Sequence, residues 1–210
     1  MMDSAVFNET TFIGICNQLA LADQDLQAIV SQYGYPPMWQ RPLCFETLVH
    51  IILEQQVSLA SALAALNKLK EAITDITPVN ILSLSNEQLK SCYLSRQKIV
   101  YVQHLASEIL SGKLKLERLS ALNNEEVRTT LTKIKGIGNW SVDVFLMMVL
   151  QRGAIFPIGD VALLTSVKES KGLVKQTSKE AILLIAQNWA PHQTAAAFIL
   201  WHGYLERRKK

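Results

Sequence analysis

The chain has 210 residues, 49% of them hydrophobic and 19% charged, with a formal net charge of +3. Such a length supports a substantial buried core, as one domain or two interlocked lobes, and the apolar content excludes a disordered polyelectrolyte. No apolar run approaches the roughly 20 residues of a membrane span, and the small positive charge permits contact with nucleic acid without requiring it.

Met1 to Ala5 carry neither a basic region nor an apolar signal core, so a soluble cytoplasmic protein is expected. Cys16, Cys44 and Cys92 are odd in number and widely spaced, which predicts reduced thiols. His50, His104, His192 and His202 lack metal-ligand spacing.

Residues 1 to 11 are polar and predicted to be loosely held. From Phe12 to about Tyr33, Ile15, Leu19, Leu26, Ile29 and Val30 form one interrupted helical stripe, stopped by Gly34 and Pro36-Pro37. Met38 to Pro42 read as an extended linker. Phe45 to Gln56 predict a helix with Phe45, Leu48, Val49, Ile52 and Leu53 inward, and an alanine-rich helix runs from Val57-Ser58 to about Ile73. Pro78 to Leu84 read as a connector, Ser85 to Gln88 as a capping box, and Leu94 to Lys98 as the start of a helix reaching about Leu110. Arg96 and Lys98 there fit a phosphate contact, but a solvated helix start is the favoured expectation. Lys113 to Ser120 read as a basic loop, and Asn123 or Asn124 caps the next helix.

Val127, Leu131 and Ile134 recur at helical spacing, as do Trp140, Val144 and Met147. Gly136-Ile137-Gly138 is therefore a tight hairpin between two helices, and the second helix opens near Asn139. Its first N–H groups lie beside Lys133 and Lys135, where a phosphate oxygen could be held. The same residues also fit a plain helix stop followed by another helix. Asp160 then follows the Pro/Gly-containing loop Phe156 to Gly159, either as a helix cap or as a reactive carboxylate. Its helix runs to about Lys171. Thr177 to Glu180 read as another capping box, Pro191 breaks the chain, and a final helix from Ala195 to Leu205 ends in the solvated tail Arg207 to Lys210. Every element is helical, so the fold class is all-α.

A Gly-x-Gly hairpin, a helix, a loop and an aspartate opening another helix, in that order, resemble the helix-hairpin-helix superfamily of DNA base-excision glycosylases, and within it the 3-methyladenine DNA glycosylase II branch. The resemblance implies a two-lobed helical fold with an active-site cleft between the lobes. One lobe, residues 42–152, carries the hairpin, and the second is built from 1–41 and 153–210, with Asp160 in the cleft. The amino-terminal β domain of longer members is not expected ahead of Phe45, and the iron–sulfur cluster of some relatives is excluded because no cysteine follows Cys92.

The implied activity is a monofunctional hydrolase that excises alkylated purines from duplex DNA. Asp160 would stabilise the oxocarbenium-like sugar or direct the attacking water. Trp140 occupies the position at which strand-cutting relatives carry a nucleophilic lysine, so water attacks and an abasic site remains. Trp140 and Trp201 match the family's base-pocket tryptophans, although both also fit a role as core aromatics, and Val144 replaces an aromatic one turn beyond Trp140. Lys133, Lys135, Gly136, Ile137, Gly138 and Asn139 would grip the DNA backbone. Gln55 and Gln56, in Gln-Gln-Val-Ser, are either the wedge that fills the gap of an extruded base or surface amides. Asp143 is expected to serve the dipole in the first turn of its helix.

Family members also hold a sodium or potassium ion on hairpin carbonyls, which map to Thr132, Ile134 and Ile137; no other cofactor is implied. The implied partner is double-stranded DNA containing alkylated bases, bound by a monomer in the cytoplasm, at the nucleoid if the cell is bacterial. Two other readings compete: a glycosylase of this fold for another lesion such as deaminated purine, and a non-catalytic DNA-binding module, which would need no Asp160.

Overall fold

A computed structural model describes residues 6–209. Among these residues the regular structure is helical, with only an isolated antiparallel bridge between Val6 and Arg152. The α-helices are α1 (Glu9–Ala22), α2 (Gln24–Tyr33), α3 (Phe45–Glu54), α4 (Leu59–Ala72), α5 (Pro78–Ser83), α6 (Asn86–Ser91), α7 (Arg96–Leu110), α8 (Asn124–Leu131), α9 (Asn139–Met148), α10 (Val161–Ser170), α11 (Lys179–Gln187) and α12 (Gln193–Glu206). No helix among them is long and apolar enough to cross a membrane.

The chain forms two compact units, one of Arg41–Phe145 and one in which the residues up to Gln40 join those from Leu146 onward. In the second unit α12 is central. Every residue from Thr194 to Leu200 is buried, and the helix packs on α10, α2 and α1. A helix enclosed on all sides has no polar face, which is why this segment is apolar all round. Phe7 packs on Phe12 and Phe198 at centroid distances of 5.6 and 6.0 Å.

The chain ahead of α1 is therefore held by apolar contact, with the Phe7 amide donating to Gln151 O at 3.2 Å, where the sequence predicted a loose segment. Residues 1–5 of that segment lie outside the described residues.

One side chain divides the long amino-terminal stripe. Asp23 accepts from the amides of Asp25 (3.0 Å) and Leu26 (3.3 Å), ending α1 and capping α2. Its carboxylate also takes Lys171 Nζ at 2.7 Å and Trp189 Nε1 at 2.8 Å. The carboxyl-terminal arginines are likewise engaged, since Arg207 and Arg208 reach Glu169 at 3.2 and 2.7 Å; Lys210 lies outside the described residues.

In the unit of Arg41–Phe145, α3 is buried along nearly its whole length and packs on α4 and α7. The Pro78 to Leu84 stretch is a helix, not a connector, because Thr77 caps it and Pro78 opens it, where a missing N–H costs nothing. Leu116–Ala121 form a 3-10 turn within the expected basic loop, with Leu119 as its buried anchor. The capping boxes at Ser85 and Asn123 are both formed. At Thr177 to Glu180 only Ser178 caps, through the Ala181 amide at 3.2 Å.

Candidate functional site

The hairpin between α8 and α9 is a pair of tight turns: Leu131 O accepts from Ile134 N–H and Ile134 O from Ile137 N–H, each at 3.0 Å. Ile134 and Ile137 are buried, so only their backbone is available for binding. Lys133, Lys135, Gly138 and Asn139 are exposed. The amides of Gly138 and Asn139 donate to no acceptor among the described residues, which leaves them for an anion at the start of α9. The two glycines do different work. Gly136 has φ +91°, and a Cβ there would stand 2.1 Å from Cγ of the Tyr101 ring. Gly138 has neither constraint, and its lack of a side chain leaves the backbone uncovered.

Three side chains, of Gln55, His104 and Arg128, brace this turn. Gln55 Nε2 donates to Gly136 O at 2.7 Å and to Ser141 Oγ at 2.9 Å. The Lys135 amide donates to His104 Nδ1 at 3.2 Å, which requires that nitrogen to be unprotonated. Arg128 donates to Asp143 Oδ1 at 2.6 Å and to Asn139 Oδ1 at 3.3 Å, joining α8 to α9. Asp143 is thus the buried partner of an arginine in the second turn of α9 and not a first-turn dipole residue. Burial pushes its carboxyl above the usual range, against the opposing pull of Arg128.

The two adjacent glutamines separate. Gln55 is turned onto the hairpin, whereas Gln56 is exposed, with a left-handed φ of 57°. Lys98 departs from its expected solvated state. Its Nζ donates to Leu53 O at 2.6 Å near the end of α3, and burial lowers its pKa. The carbonyls of Thr132 and Ile137 accept no hydrogen bond among the described residues, and Ile134 O keeps one lone pair, so this donor set fits a weakly bound monovalent cation.

Asp160 lies in the other unit, at the N-cap of α10. Its Oδ1 accepts from the Leu163 amide at 2.7 Å and from Trp201 Nε1 at 3.1 Å. The two donors fix the rotation of the carboxylate. Trp201 stacks on Phe198 at 6.0 Å and 25°, and Trp39 meets it edge to face at 6.3 Å and 81°. Trp140 is the second residue of α9 and half-buried.

The sequence pattern of the HhH-GPD superfamily of base excision DNA repair proteins matches residues 49–192. The chain belongs to the HhH-GPD superfamily. Among HhH-GPD relatives, DNA-3-methyladenine glycosylase 1 of Schizosaccharomyces pombe is 31% identical over 180 residues, covering 84% of this chain and 79% of its own. DNA-3-methyladenine glycosylase of Bacillus subtilis is 31% identical over 172 residues, and the match spans 76% of this chain but only 57% of that longer protein. The solved S. pombe 3-methyladenine DNA glycosylase Mag1, in complex with abasic DNA, superimposes with a TM-score of 0.81 at 28% identity, over 90% of this chain and 95% of Mag1.

Three residues that shape these surroundings, Tyr101, Arg128 and Trp39, lie beyond the expectations drawn from the sequence. For Tyr101 and Arg128 no local pattern exists, because their partners lie 35 and 15 residues away. For Trp39, a bulky indole in a linker was the available signal.

Proposed function

We propose that this chain is a monofunctional DNA N-glycosylase of base excision repair that hydrolyses the N-glycosidic bond of alkylated purines of the 3-methyladenine and 7-methylguanine type. The observation that carries the reading is Asp160, a helix-capping carboxylate locked by Leu163 N–H and Trp201 Nε1 in an HhH-GPD chain. As the bond between C1′ and the base nitrogen breaks, positive charge develops on the sugar, and a prepositioned carboxylate stabilises it without reorganising. The same carboxylate orients the water that adds to C1′ and accepts its proton. Alkylation makes the base cationic, so it leaves readily and interacts favourably with indole faces.

Trp140, which has no amine, supports hydrolysis over lyase chemistry. The uncovered amides of Gly138 and Asn139, with Lys133 and Lys135, hold backbone phosphate, and exposed Gln56 fills the gap left by the extruded base. Gln55 holds the hairpin instead. Thr132, Ile134 and Ile137 carbonyls would hold a sodium or potassium ion, which would supply positive charge near a phosphate. On this reading the enzyme acts as a monomer on duplex DNA in the cytoplasm, at the nucleoid if the cell is bacterial.

The test is release of free base from methylated duplex DNA by the wild type and by Asp160→Asn. Asparagine keeps an acceptor for both donors, so the variant should fold and bind an abasic-site analogue normally. Its excision rate should fall at least about 100-fold. Release that survives in Asp160→Asn refutes the assignment.

A further inference from the structure

We infer that Trp39 is a specificity-determining residue of the base site, and that its indole N–H donates a hydrogen bond to the extruded purine; the inference rests on the glycosylase function proposed above. Trp201 stands beside the reactive carboxylate, but its N–H is already committed to Asp160 at 3.1 Å. It can offer the base a ring and no donor. Trp39 lies within the same unit, edge to face with Trp201 at 6.3 Å and with Phe198 at 5.2 Å.

Trp39 is half-buried, and among the described residues its Nε1–H donates to no acceptor. Nor is that atom sealed from solvent. A buried indole N–H ordinarily finds a partner, and an accessible one on a ring packed against the tryptophan that holds the reactive carboxylate is the kind of donor that orients a ligand.

The surrounding chain holds the ring in place. Gln151, at a left-handed φ of 52°, donates to Trp39 O at 3.4 Å and to Met148 O at 2.9 Å. The neighbours Met38 and Gln40 line a separate cavity of about 300 Å³ with Phe7 and Gln151. Trp39 itself does not line that cavity; its ring packs on Trp201 and Phe198 instead.

The experiment measures single-turnover release of 3-methyladenine and 7-methylguanine from the same methylated duplex by the wild type and Trp39→Phe. Phenylalanine keeps an aromatic ring and removes the donor. The two bases present different ring acceptors, so losing one hydrogen bond should change their ratio of release rates about 3- to 10-fold. A packing defect slows both bases equally, and the ratio is independent of the fraction folded when read below the melting transition. An unchanged ratio, with or without uniform slowing, overturns the inference. A wild type that releases neither base overturns the proposed function and this inference with it, whereas an active wild type with an unchanged ratio in Trp39→Phe removes this inference alone.

Discussion

Gln55 and Gly136 are 81 residues apart in sequence and are joined by a 2.7 Å hydrogen bond from the glutamine amide to the glycine carbonyl. The bond ties the end of α3 to the turn of the hairpin, and Ser141 on α9 takes the second amide proton at 2.9 Å. Through it the loop after α3 and the uncovered amides of Gly138 and Asn139 are parts of one assembly.

The adjacent glutamines should therefore respond differently. Gln55→Ala strands a partly buried carbonyl and hydroxyl and should cost about 1–3 kcal/mol of stability, with weaker binding to abasic-site DNA. Gln56→Ala should change stability by less than about 0.5 kcal/mol while slowing excision from duplex DNA more than from DNA with an unpaired lesion. Urea melts and excision rates measured on both variants distinguish the brace from the wedge; equal effects would discard the division of roles.

The two hairpin glycines should also part. Gly136→Ala places a methyl group into the Tyr101 ring and forces a left-handed φ on a residue with a Cβ, so a loss of at least about 2 kcal/mol is expected. Gly138→Ala meets nothing and should leave the melting temperature unchanged, yet cover the backbone at which the proposed phosphate contact is made. Lower affinity for DNA with a shallower salt dependence would mark that loss. Wild-type affinity in Gly138→Ala would show that the phosphate does not approach there.

Asp23 predicts an acid sensitivity. Burial alone would raise its pKa, but Lys171 and Trp189 outweigh it and hold the carboxyl below its ordinary value of 3.8. A carboxylate with a depressed folded pKa contributes stability that is complete above the unfolded value and is lost as pH falls through the folded one. Wild-type stability should thus decline below about pH 4, and Asp23→Asn should be less stable at neutral pH with a flatter slope in that range. Asp23→Ala removes the α2 cap and the acceptor of Trp189 Nε1 and leaves Lys171 only Asp25, at 2.8 Å, so it should cost about 1–3 kcal/mol. Parallel wild-type and Asp23→Asn pH profiles would remove Asp23 as the source.

Much of the architecture was carried by local pattern. Apolar spacing placed the helices, Ser85 and Asn123 announced their caps, and two glycines before Trp140 marked the hairpin, because these signals act over three or four residues and need no distant partner. Asp160 was legible for the same reason: its capping bond to Leu163 is only three residues long.

The failures share a complementary cause. Phe7 carries no local sign of its burial because its partners, Phe12 and Phe198, include one at the far end of the chain. Nothing in the sequence near Asp143 names Arg128 as its partner, and the acceptor of Lys98, Leu53 O, lies 45 residues away. The sequence by itself determined an all-helical chain, its hairpin and the carboxylate that opens α10, since backbone propensity and capping are short-range. Only the tertiary structure decided that Gln55 braces while Gln56 is presented, that Gly136 yields its space to Tyr101, and that Trp201 gives its N–H to Asp160 while Trp39 keeps its own. Those choices depend on which side chain reaches which backbone atom, and chain folding sets that distance.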